Sequence, residues 1–328
     1  MKSAKIPQWT GDPVQPLPMA DVASRVAAGL CLVEEARSNP DIWALTSDVL
    51  NSTGLVPFAK AFPERFLNVG IAEQSMMGIA AGLATCGKIP VAATFGFLAS
   101  MRACEQVRSD IAYPNLNVKI YATHAGVALG KGGTTHHALE DVAIMRTFAN
   151  MTILEPADVL ETQKVMAAAV AHQGPVYIRL RRGPGPVIYQ GELAYQIGKA
   201  NLVREGNDLT LIGCGRTVGE CLLAAALLTQ RGISARVLDM HTLKPIDDEA
   251  IAAAARETRM VITAEDHTII GGLGGAVAEV MAELGLATPL RRLGVRDIYA
   301  GIGGEDELLA KHGIAGPQIA AQVMQFLE

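Results

Sequence analysis

Short runs rich in β-branched residues alternate with longer helix-like runs along almost the whole chain, and this rhythm breaks only once. Ile42–Leu45, Pro90–Phe95, Val118–Thr123, Thr152–Glu155 and Val176–Leu180 read as strands. The runs between them read as helices: one opening near Asp21, then Glu73–Cys86, Ala99–Tyr113, one starting over Leu139–Arg146, and Ala157–Ala171. In the first helix Val22, Val26, Gly29, Leu30 and Val33 fall at helical spacing. Strands alternating with helices imply a parallel sheet covered on both faces. The rhythm stops at Gly183–Asn207, which opens with GPGP and reads as a crossover. It then resumes, with strands at Leu209–Gly213, Ala235–Asp239, Met260–Ala264 and Leu290–Leu293. The helices of this second set are Val218–Arg231, Asp247–Arg256 and Ala276–Leu284. The expected fold is therefore α/β, with two doubly wound domains over residues 20–190 and 191–328. A Pro-rich, aperiodic arm over residues 1–19 precedes them. A chain of 328 residues agrees with two domains at roughly 100–200 residues each.

Composition narrows the function classes. Half of the residues are hydrophobic and 19% are charged, enough apolar surface to exclude disorder. A net charge of −5 argues against a nucleic-acid binder or an anionic-membrane binder. Five scattered cysteines with no C-x-x-C predict neither a disulfide framework nor a zinc site, and fit a reducing, cytoplasmic setting. The N-terminal stretch has no apolar signal segment. The most apolar stretch, Gly78–Ser100, is interrupted by Lys88 and Pro90, and reads as buried helix, turn and strand. The glycine clusters GCGRTVG (213–219) and GGLGG (271–275) do not fit a dinucleotide fingerprint and read as tight turns. Asp239, ending the next strand, keeps a dinucleotide site open as a distant reading. Neither a phosphate-binding Walker pattern nor a G-x-S-x-G elbow occurs.

The chemistry is concentrated between Asn68 and Arg182. NVGIAEQSM (68–76) ends an apolar run and opens a helix at Glu73, where a carboxylate is favoured by the helix dipole. ATFGFLASMRACEQVR follows, then KIYATHAGVALGKGGTTHHALED, then PVYIRLRR. His124 and His136 lie twelve apart in a glycine-rich loop that cannot be a regular helix; by themselves they are polar loop residues. In order, spacing and content these four blocks resemble the C-terminal half of a transketolase, the thiamine-diphosphate enzymes that move two-carbon ketol units. The resemblance covers the pyrimidine-binding and C-terminal domains, about residues 20–328.

The resemblance implies a role for each residue. Glu73 would hydrogen-bond a ring nitrogen of the cofactor's aminopyrimidine, which calls for a buried carboxyl able to share a proton with a heterocycle. Phe95 would stack on that ring. Leu98 falls where the family has a second aromatic, with Phe97 as a substitute if strand parity allows. Asp48 matches an active-site Asp. Arg25, Ser52 and Arg182 match sugar-phosphate positions, where two guanidiniums and a hydroxyl suit a phosphate dianion. His124 would lie near that phosphate and His136 near the sugar hydroxyls, where imidazole can donate hydrogen bonds or shuttle protons. His137 has no matched role. Lys131 and Gly132 replace an acidic pair common in the family, which points to an unusual ketose donor or a substrate lacking the hydroxyl that pair would face. Glu265–His267, before GGLGG, reads as a structural turn that could touch a neighbouring chain.

A G-D-G signature with a downstream Asn, which holds Mg²⁺ and diphosphate in the family, is absent from the sequence. No metal ligand is therefore assigned to this chain. The expected enzyme is a split transketolase whose cofactor lies between this chain and a separate diphosphate-binding subunit. Pairing of pyrimidine-binding domains would then give a two-plus-two heterotetramer. The alternatives are the β subunit of a 2-oxo acid dehydrogenase, a deoxyxylulose-phosphate-synthase-like enzyme, and a non-catalytic pseudo-subunit. Retention of Glu73 weighs against the last.

Overall fold

The computed structural model describes residues 20–328, and the arm expected over 1–19 lies outside them. The first sheet is built from β1 (Ile42–Thr46), β2 (Phe66–Asn68), β3 (Ile89–Phe95), β4 (Lys119–Thr123), β5 (Thr152–Leu154) and β6 (Val176–Arg179). They are mutually parallel where they pair, as crossover helices require. The helices are α1 (Ser24–Ser38), α2 (Leu50–Thr53), α3 (Val56–Ala61), α4 (Glu73–Thr85), α5 (Cys104–Gln106), α6 (Asp141–Arg146) and α7 (Val159–Ala171).

The second sheet holds β7 (Asn201–Arg204), β8 (Leu209–Gly213), β9 (Ala235–Asp239), β11 (Val261–Thr268) and β12 (Leu290–Val295), in the order β12-β11-β8-β9-β7. Its helices are α8 (Arg216–Thr229), α9 (Asp248–Glu257), α10 (Leu273–Glu283), α11 (Glu305–Lys311) and α12 (Gly316–Leu327). The expected crossover has no helix or strand from Gly183 to Ala200 and then enters β7, antiparallel to β9. One further strand, β10 (Thr242–Lys244), lies beyond this crossover in sequence yet joins the first sheet, antiparallel to β5. The first sheet thus runs β10-β5-β6-β4-β3-β1-β2. The two halves also share one apolar core, in which Met76, Met77 and Met145 belong to the same cluster as Leu238, Met240 and Val277. Each fully buried side chain of this size stabilises by about 1.5–3 kcal/mol relative to exposure.

Two expectations change. The first helix starts at Ser24, so Val22 lies outside it and is 38% exposed, while Leu30 is 48% exposed. Gly29 and Val33 are buried as expected, and Ala27, Ala28, Leu32 and Ala36 complete the buried face of the helix, which packs on α7. Small residues carry a weak hydropathic signal but allow helices to approach closely. Gly29 and Gly54 extend this: a Cβ at Gly29 would strike the Gly54 carbonyl, and Gly54 (φ +80°) sits against the Arg25 carbonyl. Backbone therefore meets backbone, which brings Arg25 beside α2. The second change is in the helix expected over 99–113. It is broken into π-helical turns at Leu98–Arg102 and Val107–Ala112 around α5. Such turns are uncommon and frequent at functional sites.

Glu265–His267 makes structural contacts within the chain. The Glu265 carboxylate accepts the Leu273 and Gly274 N–H groups at 2.7 and 2.9 Å, satisfying the N-terminus of α10. His267 lies 3.8 Å from Asp141 of the first half.

Candidate functional site

Nearly every expected site residue sits just beyond the C-terminal end of a strand of the first sheet. Asp48 follows β1, Glu73 follows β2, Phe95–Leu98 end and follow β3, His124 follows β4 and Arg182 follows β6. In open parallel sheets this edge is where ligands bind, because crossover loops cluster there. Two of these positions adopt left-handed backbone, Asp48 at φ 61° and His124 at φ 62°. For residues with a Cβ this conformation costs of order 1 kcal/mol, so the surroundings must hold it. Asn68, ending β2, holds Asp48. Its amide nitrogen donates to Asp48 Oδ1 at 3.1 Å, and its carbonyl oxygen accepts the Asp48 and Gly70 N–H groups, each at 3.1 Å.

Glu73 is the first residue of α4 and only 2% exposed. Its one side-chain partner among the described residues is Arg102, whose Nη1 lies 3.4 Å from Oε2. Arg102 closes the π-helical turn that begins at Leu98, so the bulge delivers it to Glu73. A cleft of about 750 Å³ opens there, lined by Phe97, Leu98, Met101, Arg102, His137 and Tyr299 among others. Phe95 and Phe97 are half-buried, their ring centroids 6.2 Å apart. Phe97 lies beyond the end of β3, so strand parity does not decide its direction. Leu98 is buried against the same cleft. A second cavity of about 630 Å³ lies between the two halves, sharing Glu140 and Tyr299 with the cleft, and none of the expected site residues lines it.

The two histidines meet the two phenylalanines. The His124 ring lies 4.2 Å from Phe95 and the His136 ring 5.2 Å from Phe97. His124 is buried, and its Nδ1 is 2.9 Å from Thr123 Oγ1. Burial, reinforced by Arg25 and Arg182, pushes its pKa down to about 3, so the ring is neutral at pH 7. His136 is exposed, with Nδ1 2.9 Å from Thr135 Oγ1. The Arg25 Nε donates to the Arg182 carbonyl at 2.7 Å and its Nη1 to the Asn51 carbonyl at 3.2 Å, next to Ser52 on α2. Burial and then the Arg182 charge lower the Arg25 pKa, with Tyr121 opposing. Among the described residues neither Arg25 nor Arg182 has an ion-pair partner; Arg182 is exposed, and Arg25 is half-buried, where most other guanidiniums have one. Lys131 is exposed in the same loop. Asp48 and Ser52 lie at the same edge but, among the described residues, make no side-chain hydrogen bond to the other expected residues.

Sequence reasoning missed Asn68, Arg102, His137 and Tyr299. Asn68 and Arg102 stand inside blocks that carry the resemblance, and Arg102 is one helical turn beyond Leu98, a spacing that puts both on one face. His137 is 3% exposed, faces the cleft, and has neither ring nitrogen hydrogen-bonded. Burial lowers its pKa. Tyr299 comes from the second half, and nothing local in the sequence announces it.

The family profile for the transketolase pyrimidine binding domain matches residues 20–186, and that for the transketolase C-terminal domain matches residues 198–319. The chain belongs to the transketolase family. It is 45% identical to a putative transketolase C-terminal section of Methanocaldococcus jannaschii over 92% of this chain and 95% of that one. It is 42% identical to a 6-deoxy-6-sulfo-D-fructose transketolase subunit of a Clostridium strain, over 90% and 92%. Among solved structures, a split gene transketolase described as an inactive beta4 tetramer superposes with a TM-score of 0.85 at 45% identity, covering 93% of this chain and 98% of that one. This chain is a split-type transketolase subunit, a transferase component that matches separately encoded subunits over most of their length.

Proposed function

We propose that this subunit, joined to a separate diphosphate-binding subunit, transfers two-carbon ketol units from a phosphorylated ketose to an aldose phosphate. The observation that carries this reading is the pair Arg25 and Arg182 beside neutral His124, two guanidiniums with no ion-pair partner among the described residues at the open end of a sheet. Two unpaired cations held together by the fold repel one another, and a phosphate dianion relieves that cost while accepting their N–H donors. Ser52, next to the Arg25–Asn51 contact, adds a hydroxyl.

The cleft also suits thiamine diphosphate. Glu73 is a buried carboxyl whose one side-chain hydrogen bond among the described residues is long, which leaves it free to bond a heterocyclic nitrogen. The half-buried Phe97 ring and Leu98 line the cleft with apolar surface, and the Phe95 ring lies 6.2 Å from Phe97 behind it. When bound, the cofactor supplies the carbanion chemistry. Glu73 would hold its pyrimidine and exchange a proton at Oε2. Arg102 would keep that carboxylate oriented. His136, exposed beside Phe97, would donate hydrogen bonds to the sugar hydroxyls and move protons near neutral pH. Asp48, fixed by Asn68, would orient polar groups at the opposite lip. Mg²⁺ and the diphosphate fall to the partner subunit. Two copies of this chain would pair through the pyrimidine-binding half, where Ile71, Ile79 and Met101 are exposed, and Tyr299 and Ile302 flank the cleft. The setting is cytoplasmic carbohydrate metabolism; no helix among the described residues is long and apolar enough to cross a membrane.

The test is reconstitution with the partner, thiamine diphosphate and Mg²⁺, followed by a panel of ketose phosphates. Because Lys131 stands where an acidic residue is common, a donor unlike the usual ketose phosphates should react best. Absence of ketol transfer across the panel, or decarboxylation of a 2-oxo acid instead, overturns the reading.

A further inference from the structure

The loop that carries both histidines is closed at its base by a two-way backbone bridge. Gly126 N–H donates to the Ala138 carbonyl at 3.0 Å, and Ala138 N–H to the Gly126 carbonyl at 3.1 Å. His124 lies two residues before one base position and His136 two residues before the other. A shift of the base therefore moves both imidazoles.

Two side chains grip this base. The Arg179 guanidinium, 1% exposed, donates from Nη2 to the Ala138 carbonyl at 2.8 Å and to the Asp266 carbonyl at 2.9 Å. Its other nitrogens bind Asp141 at 2.9 Å and Glu155 at 2.6 Å. One side chain thus ties β6, the loop, α6, the end of β5 and β11 together. The second grip comes from the other half of the molecule. Both carboxylate oxygens of Asp266 lie 3.2 Å from the Val127 N–H, and the carboxylate fills the space where a Cβ at residue 126 would stand. Gly126, at φ +61°, is the residue type that permits both the turn and the approach. Asp266 is 4% exposed, its carboxylate accepts the Val127 N–H, and it is not among the residues lining the cleft.

We propose that Asp266 is a positioning residue: the second α/β half, through Asp266, sets the register of the first half's histidine loop for sugar binding. This rests on the reading that His124 and His136 face the substrate. It gives the C-terminal half a direct part in substrate recognition. The halves are then one working unit rather than an active domain with an appendage.

Arg179→Met is the obvious variant, but it strips two buried carboxylates of their partner and could prevent folding. Asp266→Ala and Asp266→Asn are the better pair, since the Arg179 bond to the Asp266 backbone carbonyl survives in both. The full chain, reconstituted with its partner subunit, is compared for amide exchange over residues 125–138 and for steady-state kinetics. In Asp266→Ala, exchange in that loop should rise about tenfold while the rest of the chain is unchanged. KM for the ketose phosphate should rise about tenfold with kcat within about threefold. Asp266→Asn keeps an acceptor for the Val127 N–H and should restore both. Unchanged loop exchange, a rise spread evenly through the chain, or a loosened loop with unaltered KM each overturns the proposal. If the wild-type complex transfers no ketol unit, the functional reading fails, and the exchange data still decide whether Asp266 holds the loop.

Discussion

The two sheets end in different ways at their C-terminal edges. On the first sheet that edge carries two left-handed side-chain-bearing residues, two unpaired guanidiniums and a buried carboxyl with one long contact. On the second sheet the acidic groups in the same place are engaged inside the protein. Asp239 accepts the Tyr189 hydroxyl at 2.6 Å, Glu265 takes two helix N–H groups, and Asp266 takes the Val127 N–H. The rule that ligands bind at this edge of a parallel sheet applies to both by topology. Among the described residues the unpaired guanidiniums lie at the first edge, whereas the carboxylate oxygen left unbonded at the second, Asp239 Oδ1, is fully buried. At the second edge Asp266 and Asp239 reach residues of the first half and the crossover while Glu265 caps a helix of its own half, and a binding site has to be argued from what remains unpaired.

The sharpest way to break this contrast is at Glu73. Glu73→Gln keeps shape and burial but cannot hold and release the proton. Ketol transfer by the reconstituted complex should fall by about 10²–10⁴-fold, while amide exchange across the chain stays close to wild type. Near-wild-type turnover would remove Glu73 from the chemistry.

The next effect is at Arg25. Arg25→Met removes one of the two guanidiniums and leaves α1 helical. KM for a phosphorylated ketose should rise by about 10–100-fold, the loss of a charge-assisted hydrogen-bond partner, with kcat little changed. The matching unphosphorylated ketose should be insensitive to the substitution. Equal losses for both sugars would mean that Arg25 supports the fold around α2 instead of reading phosphate.

Much of this contrast was legible before the structure. Strand–helix alternation identified the two α/β halves because a parallel sheet needs a crossover after every strand. The four sequence blocks marked Glu73, Phe95, His124, His136 and Arg182, all of which lie at one sheet edge. What stayed hidden depended on contacts between residues far apart in sequence. β10 is three residues long and pairs with a strand almost 90 positions earlier. Asp266 meets Val127 across 139 positions. Val22 and Leu30 misled because hydropathy favours large side chains, whereas α1 buries alanines. The π-helical turn that aims Arg102 at Glu73 has no local sequence rule to betray it.

The smallest expected effect distinguishes the second edge by its pH dependence. Burial raises the pKa of Asp266 to about 7 from 3.8, and that of Glu265 to about 8 from 4.5. The folded chain thus retains protons that the unfolded chain has already released. The stability these groups contribute is complete below about pH 4 and is lost as pH rises through about 7 and then about 8. His267 works in the opposite direction on the acid side: burial lowers its pKa to about 4, so the unfolded chain takes up its proton first as pH falls below 6.5. Above pH 6.5 the carboxyls dominate, and the melting temperature should decline towards pH 8. Asp266→Asn removes one of the titrating groups and keeps an acceptor for Val127, so it should flatten that decline by roughly 1–3 °C. Substitutions at Arg25 should leave the slope intact, because the first-sheet charges that act on these carboxyls are Arg179 and Glu155, not Arg25. A slope that changed equally with Arg25→Met would mean that the two edges are electrostatically one, and the division between open site and closed bracket would not hold.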